Sequence, residues 1–202
     1  MTDASDPPHH LMPDAFTSRP VLTGDDAAAV FGRLFDEYAP GLQRYVTRRI
    51  GAAGAEDVVA ESFLTAFRRR AAYDPARAEI RAWLYGIATN LLRKYLDGET
   101  RQLRATARLN AAQRTSADGH EDAAIARLDA EVRVSQLAAA IATLNAGDRD
   151  VLLLTAWAGM DSAEIAAALD IPVGTVRSRL HRVRGQLRLA AARAHAIDIA
   201  KE

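Results

Sequence analysis

The chain has 202 residues, enough for one ordinary domain or two small ones, and its 26 basic and 26 acidic side chains leave a formal net charge of zero. It has no cysteine, which excludes disulfides, thiolate metal sites and cysteine nucleophiles. Neither a signal peptide nor an apolar run of about 18 residues is visible, so we expect a cytoplasmic protein without membrane insertion.

The residue composition favours helices. Hydrophobic residues make up 49% of the chain, but aromatic residues only 6%. Alanine supplies much of the apolar fraction, and it favours helices because it loses no side-chain entropy there. Valine and isoleucine do not alternate with polar residues as they would in strands. The sequence therefore predicts an all-α fold of two small helical domains joined by a flexible linker.

The charges are segregated along the chain even though they cancel overall. Residues 66–104 and 173–193 are basic, whereas residues 115–150 are acidic. Almost all of the positive charge is arginine, with Lys94 and Lys201 as the exceptions. Arginine is suited to bidentate contacts with phosphates and guanine edges. Two basic blocks separated by an acidic one predict two surfaces for a polyanion.

The first half of the chain is predicted to form a tail followed by a helical domain. Residues 1–24 are rich in proline and aspartate and lack an apolar period, which predicts a disordered tail. Residues 25–97 show helical periodicity, with a bend between two short helices predicted at Pro40 and a longer helix predicted from Ile80 to Leu96. Residues 98–121 lack an apolar face and are the predicted linker.

The second predicted domain, residues 122–194, ends in a helix-turn-helix layout. Asp148 is predicted to cap the helix that precedes this motif. A short helix over 162–169, a turn from Asp170 to Pro172 and a longer helix beginning near Val173 complete it. The inner stripe of the last helix consists of Val176, Leu180, Val183 and Leu187.

Polar and basic side chains stand outside that inner stripe. A recognition helix places such side chains in the major groove, with its first residues at base edges. A merely solvated basic helix face is the alternative explanation of the arginines. The predicted DNA-contacting residues are Thr175, Arg177, Ser178, Arg179, His181, Arg182 and Arg184.

Three segments resemble a known family. "AEDVVAESFLTAFRR" followed by "YDPARAEIRAWLYGIATNLLRKYL" resembles region 2 of the group IV (extracytoplasmic function, ECF) sigma factors of the sigma-70 family. "IPVGTVRSRLHRVRGQLR" resembles region 4 of the same family. The order of the segments, the linker between them and the overall length also fit, so the resemblance covers about residues 28–190.

The resemblance implies a dissociable initiation subunit of bacterial RNA polymerase. Such a protein binds the core enzyme through the β and β′ subunits and directs it to promoters. It contacts duplex DNA at the −35 element and the non-template single strand at the −10 element, and an anti-sigma factor is a common further partner. By this resemblance the outward residues of the last helix, named above, contact the −35 element.

The resemblance also implies roles for residues of the first domain. The segment that meets the β′ clamp helices contains Asp57, Glu61, Ser62, Phe63 and Phe67, although core packing explains the two phenylalanines equally well. Capture of −10 bases needs amide or aromatic contacts and nearby cations. The candidates for this role are Tyr73, Arg77, Arg81, Trp83, Tyr85 and Asn90, and core packing is the favoured explanation of Trp83.

Two other classes of protein are alternatives to a sigma factor. An autonomous helix-turn-helix regulator would bind an operator without polymerase, but residues 28–96 show no heptad seam for a dimer. An enzyme is not expected, because the carboxylates and histidines show no nucleophile–base pairing or metal spacing. We expect no cofactor, no metal and no catalytic residue.

Overall fold

The computed structural model describes residues 17–111 and 140–199, and it is helical with no strand in these ranges. The all-α prediction is therefore confirmed for the described part of the chain. The helices are α1 (Ala27–Ile50), α2 (Ala55–Arg68), a short 3-10 helix (Arg70–Ala72), α3 (Ile80–Ala111), α4 (Ala146–Ala158), α5 (Ser162–Leu169) and α6 (Val173–Ile199). None of the helices in these ranges combines the length and hydropathy that a membrane span requires.

Helix α1 continues through Pro40, so the predicted bend between two short helices is wrong. A proline inside a helix removes one backbone hydrogen bond and costs about 3 kcal/mol. Burial outweighs that cost here, because Ala39 and Leu42 on either side of the proline both pack into the core. The apolar period that the sequence shows on both sides of the proline therefore belongs to one continuous helix face.

Helices α1, α2 and α3 pack around one apolar centre. Leu34, Leu42, Val46, Leu84 and Leu92 are fully excluded from solvent there. A buried hydrogen bond of 3.0 Å joins the hydroxyls of Tyr45 and Thr89 and ties α1 to α3. These contacts fix the direction of the first two turns of α3, which carry several of the predicted −10 residues.

The residues just before α1 are packed, although the sequence placed them in a disordered tail. Leu22 is only 2% exposed, and Pro20 is also buried. The backbone N–H of Ile80 donates to the carbonyl of Ser18 at 2.9 Å, and Arg19 donates to the carbonyl of Pro75. Residues 17–24 therefore brace the loop that leads into α3. The rest of the predicted tail lies outside the described residues.

Helix α3 is longer than the sequence predicted. It continues to Ala111, past the predicted boundary at residue 97 and into the predicted linker. Residues 98–111 lack an apolar face, but they are rich in alanine, arginine and leucine, which have high helix propensity. The helix propensity of these residues favours the continuation of α3. The remainder of the predicted linker, and residues 122–139 of the second predicted domain, lie outside the described residues.

The C-terminal helices form the predicted helix-turn-helix. The side chain of Asn145, not Asp148, caps α4 by accepting from the Asp148 N–H at 2.9 Å. Asp161 caps α5 in a reciprocal capping box with Glu164. Asp170 ends α5 with a left-handed φ of 51°, a conformation that aspartate tolerates better than most residues. Val176, Leu180 and Val183 are buried, as their spacing predicts.

The two helical groups contact each other through α3 and α5. At Gly86 an added Cβ would lie 2.3 Å from the carbonyl oxygen of Ala168, so the backbones of the two helices touch. Asp150 at the start of α4 reaches across to Arg49 of α1 and Arg93 of α3. The buried residues consequently form one continuous apolar cluster that spans both groups.

Candidate nucleic-acid interface

The recognition helix α6 presents most of the predicted DNA-contacting residues to solvent. Arg177, Ser178, His181, Arg182 and Arg184 are exposed on the side opposite the buried stripe. Thr175 and Arg179 are half-buried. The hydroxyl of Ser178 donates to the carbonyl of Thr175 at 2.9 Å, so that donor is already used within the helix. The helix therefore carries an exposed, arginine-rich face of the kind that fits a major groove.

Arg182 makes a specific contact with the protein itself. Its Nε and Nη2 atoms donate to the two carboxylate oxygens of Asp148, both at 2.7 Å. Asp148 is almost fully buried, and the side chain of Asn145 also donates to it at 2.9 Å. These hydrogen bonds, that from Arg182 above all, lower the pKa of the Asp148 carboxyl, and the same pair raises the pKa of Arg182. The pair joins α6 to α4.

Arg179 packs against the same first turn of α4. An added Cβ at Gly147 would lie 2.5 Å from its Nη1 atom, so the absence of a side chain at Gly147 makes room for the guanidinium. Two of the seven predicted −35 residues, Arg179 and Arg182, thus contact α4. Arg177, Ser178, His181 and Arg184 are the other exposed members of the set.

The loop before α3 and the start of α3 form a second basic surface. The ring of Tyr73 is buried, its centroid lies 5.1 Å from that of Trp83, and its hydroxyl donates to the carbonyl of Ala78 at 3.1 Å. Burial raises the pKa of Tyr73 to about 12. Trp83 is half-buried, and Asn90 is exposed about two turns further along the same face of α3. Tyr73 and Trp83 together form an aromatic wall beside Asn90.

Tyr85 does not belong to this surface. It is 4% exposed and packs on Tyr45, with the ring centroids 5.5 Å apart. Its hydroxyl lies 2.8 Å from where a Cβ of Gly41 would be, so the ring fills a gap between α1 and α3. The prediction of a −10 contact for Tyr85 is therefore corrected to a role in the core.

A cleft of about 350 Å³ opens between this surface and the C-terminal helices. Arg77 at its edge pairs with Asp170 at 3.1 Å, and Arg81 nearby pairs with Glu164 at 2.7 Å and also donates to the carbonyl of Ala158. The residues that line the cleft include Arg69, Tyr73, Arg77, Trp83 and Asn90 from the first helical group and Ala167, Ala168 and Asp170 from the second. The acidic partners of these arginines were not anticipated from the sequence.

A third surface lies along α2. Asp57 and Glu61 are exposed, whereas Ser62 is fully buried and its hydroxyl donates to the carbonyl of Val58 at 2.6 Å. Phe63 is 8% exposed, and Phe67 is half-buried with its ring edge against Phe31. Ser62 and Phe63 therefore belong to the core rather than to the contact surface. The Asp57 carboxylate is exposed, whereas the exposed Glu61 carboxylate accepts from the Thr65 hydroxyl at 3.2 Å and lies 3.7 Å from Arg68.

Two apolar side chains on this third surface were not singled out from the sequence. Phe35 of α1 is 48% exposed and packs on Phe63 at a centroid distance of 4.9 Å, and Leu64 of α2 is 42% exposed. Phe35, together with Ala39, Pro40 and Val59, lines a shallow apolar groove between α1 and α2, and Asp36 and Glu56 also line it. The signal in the sequence was an apolar stripe wider than a helix of this size needs for one core face.

The side chains of the basic faces are of the types that contact nucleic acids. Within residues 17–111 and 140–199 no three histidine, aspartate or glutamate side chains converge as metal ligands would. The basic faces carry arginine, amide and aromatic groups, which suit phosphates and bases. A three-helix domain, a helix-turn-helix domain and two basic faces together are the features of a DNA-binding protein of the helix-turn-helix class.

Comparison with known families agrees with this class. The sequence matches the family model of Sigma-70 region 2 over residues 34–102 and that of Sigma-70, region 4 over residues 135–187. It is 34% identical over 164 residues to the ECF RNA polymerase sigma factor SigL of Mycobacterium tuberculosis, covering 80% of this chain and 89% of that one. It is also 34% identical over 180 residues to SigW of Bacillus subtilis, covering 83% and 91%.

The chain belongs to the ECF RNA polymerase sigma factors. It is accordingly a polymerase-binding, promoter-specific initiation factor and not an autonomous regulator. Among solved structures, it resembles CnrH in complex with the cytosolic domain of CnrY, at 26% identity and a TM-score of 0.54 over 80% of this chain and 87% of that one. Sigma factor RpoE of Bartonella quintana, solved with the anti-sigma factor NepR, shares the fold at 20% identity and a TM-score of 0.51, over 79% and 95% of the chains.

Proposed function

We propose that three separate surfaces divide the work of initiation. The face of α2 around Asp57 and Glu61, widened by Phe35 and Leu64, docks on the β′ subunit of core polymerase. The recognition helix α6 reads duplex DNA at the −35 element. The basic surface around Asn90 captures the non-template strand at the −10 element. The protein acts by binding rather than by catalysis, and it acts in the cytoplasm, where core polymerase and promoters are found.

The polymerase-docking role rests on the combination of charge and apolar exposure. An apolar groove flanked by carboxylates suits a partner helix that carries arginine or lysine beside leucine-like side chains. The exposed fractions of Phe35 and Leu64 are the only ones above two-fifths among the large apolar side chains of α1 and α2 within the described residues. They are the natural anchors of such a contact.

The −35 role rests mainly on Arg177. It lies in the second turn of α6 and is exposed, where a recognition helix contacts base edges. An arginine there pairs with the O6 and N7 atoms of guanine, and such a contact discriminates between bases by about 1–3 kcal/mol. Arg184, further along the helix, is better placed for a phosphate, and His181 is assigned no base.

The −10 role rests on Asn90 beside the aromatic wall of Tyr73 and Trp83. The amide of Asn90 can both donate to and accept from a base edge. Its oxygen lies 3.4 Å from the Nη1 atom of Arg93, a cation that would also attract the DNA backbone. Arg77 and Arg81 add further positive charge to the same surface. This clustering of amide, aromatic and cationic groups is the observation that best supports strand capture.

An anti-sigma factor is the third proposed partner. One solved structure of the same fold contains the anti-sigma factor NepR, and in another the similar protein CnrH is in complex with the cytosolic domain of CnrY. The apolar groove between α1 and α2 is also the described surface best able to accept an amphipathic inhibitor helix.

The test begins with purified core polymerase. The protein is expected to co-elute with the core enzyme and to produce discrete start sites in run-off transcription over a fragmented genomic library. Asn90→Ala should reduce the yield of open complexes, and Arg177→Ala should reduce binding to the upstream element. Arg188→Ala, on the same helix as Arg177 but three turns later, is the matched control. The proposal would be contradicted if the protein did not bind core polymerase but bound a specific DNA duplex by itself.

A further inference from the structure

A short segment before α1, residues 17–24 (the brace), contacts the loop that leads into α3 at two points. The carbonyl of Ser18 accepts from the backbone N–H of Ile80 at 2.9 Å, and the guanidinium of Arg19 donates to the carbonyl of Pro75. Arg19 and Pro75 are 56 residues apart in the chain, so this contact is tertiary rather than local. The two hydrogen bonds attach the brace to both the middle and the end of the loop.

The hydrogen bond to Ile80 completes the start of α3. Ile80 is the first residue of this helix, and the first N–H groups of a helix have no partner within it. Ile80 is fully excluded from solvent, so its N–H depends on an acceptor from the protein. The carbonyl of Ser18 is that acceptor. Because a backbone carbonyl supplies the bond, no residue type in the sequence indicates it.

Two buried residues anchor the brace to the N-terminal helices. Leu22 is 2% exposed and belongs to the same apolar cluster as the core residues of α1, α2 and α3, and Pro20 is also buried. Val21 between them is 71% exposed. This alternation is typical of an extended segment with one face on the protein. Loss of the Leu22 anchor should therefore release the brace, and with it both hydrogen bonds to the loop.

The loop of residues 73–79 has few buried contacts of its own. Residues 74–79 are all exposed or half-buried. Its internal hydrogen bonds are local, because the Asp74 carboxylate accepts from the N–H of Ala76 at 2.8 Å and the Asp74 carbonyl accepts from the N–H of Arg77 at 3.1 Å. Local bonds of this kind shape a turn. The bonds from the brace connect that turn to the buried part of the domain.

The same loop carries part of the proposed −10 surface. Tyr73 of the aromatic wall begins the loop, Arg77 lies within it, and Arg81 follows in the first turn of α3. Burial raises the pKa of Tyr73 to about 12, and the positive charge of Arg19 acts in the opposite direction. Arg19 is therefore close to the start of the loop as well as to its middle.

We propose that the brace is a positioning element for −10 recognition: it holds the loop and the start of α3 in the arrangement that receives the non-template strand. Arg19 and Leu22 are positioning residues and contact no DNA in this role. The proposal rests on the proposed function of the surface around Asn90 in strand capture. A loop that is already ordered loses less conformational entropy on binding, so release of the brace should weaken strand binding. The proposed polymerase-docking and −35 surfaces lie on α2 and α6, outside the loop.

The first test measures strand binding by the holoenzyme, assembled from core polymerase and the full chain. The probe is a promoter fork from a start site mapped by run-off transcription, with duplex DNA at −35 and a single non-template strand over −10. The same fragment without the single strand is the reference. Arg19→Ala and Leu22→Asp should weaken fork binding by about fivefold or more, and should leave binding to the reference and to core polymerase unchanged.

Each of these variants has a matched control. Val21→Asp introduces the same charge as Leu22→Asp at the neighbouring exposed position, and Arg33→Ala removes an exposed arginine of α1. Both controls should bind the fork like the wild type. Thermal unfolding followed by circular dichroism checks the fold of all four variants. Arg19 is exposed, so Arg19→Ala tests the proposal even if Leu22→Asp is unstable.

Two further readouts separate positioning from other roles. A direct contact of Arg19 with a phosphate would lower the slope of log affinity against log salt by about 0.7 for a single strand, whereas positioning predicts an unchanged slope in Arg19→Ala. Hydrogen exchange measured by mass spectrometry follows the loop itself. The peptide of residues 73–80 should exchange faster in Leu22→Asp than in the wild type and Val21→Asp, and peptides of α6 should not change.

The outcomes distinguish this proposal from the proposed function. Wild-type fork binding by Arg19→Ala and Leu22→Asp, a lower salt slope in Arg19→Ala, an equal loss of fork and reference binding, or unchanged exchange of the loop would each overturn the positioning role. If only Asn90→Ala loses fork binding, strand capture stands without the brace. If the brace variants lose fork binding and Asn90→Ala retains it, the positioning role is supported and the assignment of capture to Asn90 is contradicted.

Discussion

Arg182 and Asp148 join the recognition helix to α4 by two parallel hydrogen bonds of 2.7 Å. The carboxylate is buried and fixed by the cap of α4, so the guanidinium is held by a rigid partner. The pair uses the Nε–Nη2 edge of the guanidinium, so only the edge that includes Nη1 is left for another acceptor. We therefore expect Arg182 to orient α6 and Arg177 to read the base.

This relationship predicts different effects for two arginines on one helix. Arg182→Ala should lower the thermal stability of the C-terminal domain and weaken binding to all upstream sequences alike. Arg177→Ala should leave stability unchanged and relax discrimination at one base pair by about 1–3 kcal/mol. Anisotropy with a set of single-base duplex variants measures both effects. A change of base preference in Arg182→Ala at unchanged stability would show that Arg182 reads DNA directly.

The same pair predicts a dependence of stability on pH. Asp148 has an ordinary pKa of 3.8, and its pKa is lower in the folded protein, chiefly through the hydrogen bonds from Arg182. A group whose pKa is lowered by folding stabilises the protein above its ordinary value, and this contribution is lost as the pH falls through the folded value. The stability difference between wild type and Asp148→Asn should therefore shrink as the pH falls below about 4.

Urea unfolding between pH 6 and pH 3 is the measurement, with Asp36→Asn as the control because Asp36 is an exposed aspartate of the other domain. The advantage of the wild type over Asp148→Asn should decrease towards the acidic end of this range, whereas its difference from Asp36→Asn should change little. A constant difference between wild type and Asp148→Asn would mean that the Arg182 pair does not stabilise the charged form.

Local features of the fold followed from the sequence because they depend on neighbouring residues. The spacing of Val176, Leu180 and Val183 predicted the buried stripe of α6, and the turn at Asp170 was placed correctly. Tyr85 was misassigned because an aromatic ring suits both a core and a base-stacking surface. Only the packing of Tyr45 of α1 on Tyr85 shows that this ring lies on the core face of α3.

The contacts between the domains could not have been predicted in the same way. Arg93 and Asp150 are separated by 57 residues, and Arg81 and Glu164 by 83. Nothing in the local pattern of a helix indicates which distant carboxylate will meet its arginines. The sequence showed basic and acidic blocks, but only the fold shows that members of the two blocks pair directly.

Asp150 predicts how the two domains unfold. Both of its partners belong to the N-terminal helices, so its removal leaves the buried Arg49 without a carboxylate. Burying an unpaired charge is costly, and separation of the domains relieves that cost by hydrating Arg49. Asp150→Ala should therefore split the thermal unfolding of the wild type into two transitions in calorimetry. Asp97→Ala, an exposed aspartate of α3, should retain the wild-type profile.

The last prediction concerns the polymerase-docking surface. Leu64 is 42% exposed on α2, next to the acidic side chains of Glu61 and Asp57. Removal of an exposed leucine costs the folded protein little, but it removes an anchor from an interface that excludes water. Leu64→Ala should therefore weaken binding to core polymerase by at least fivefold while the free energy of unfolding changes by less than about 0.5 kcal/mol.

Two further variants sharpen this experiment. Phe63→Ala removes a buried side chain next to the same surface and should lower the free energy of unfolding by about 3–5 kcal/mol. It serves as the reference for the loss of a core residue. Leu189→Ala is the matched control, because Leu189 is 62% exposed but lies on α6, far along the chain from α2. Equal affinities of Leu64→Ala and Leu189→Ala for core polymerase would place the docking surface elsewhere, since only Leu64 lies beside the acidic face of α2.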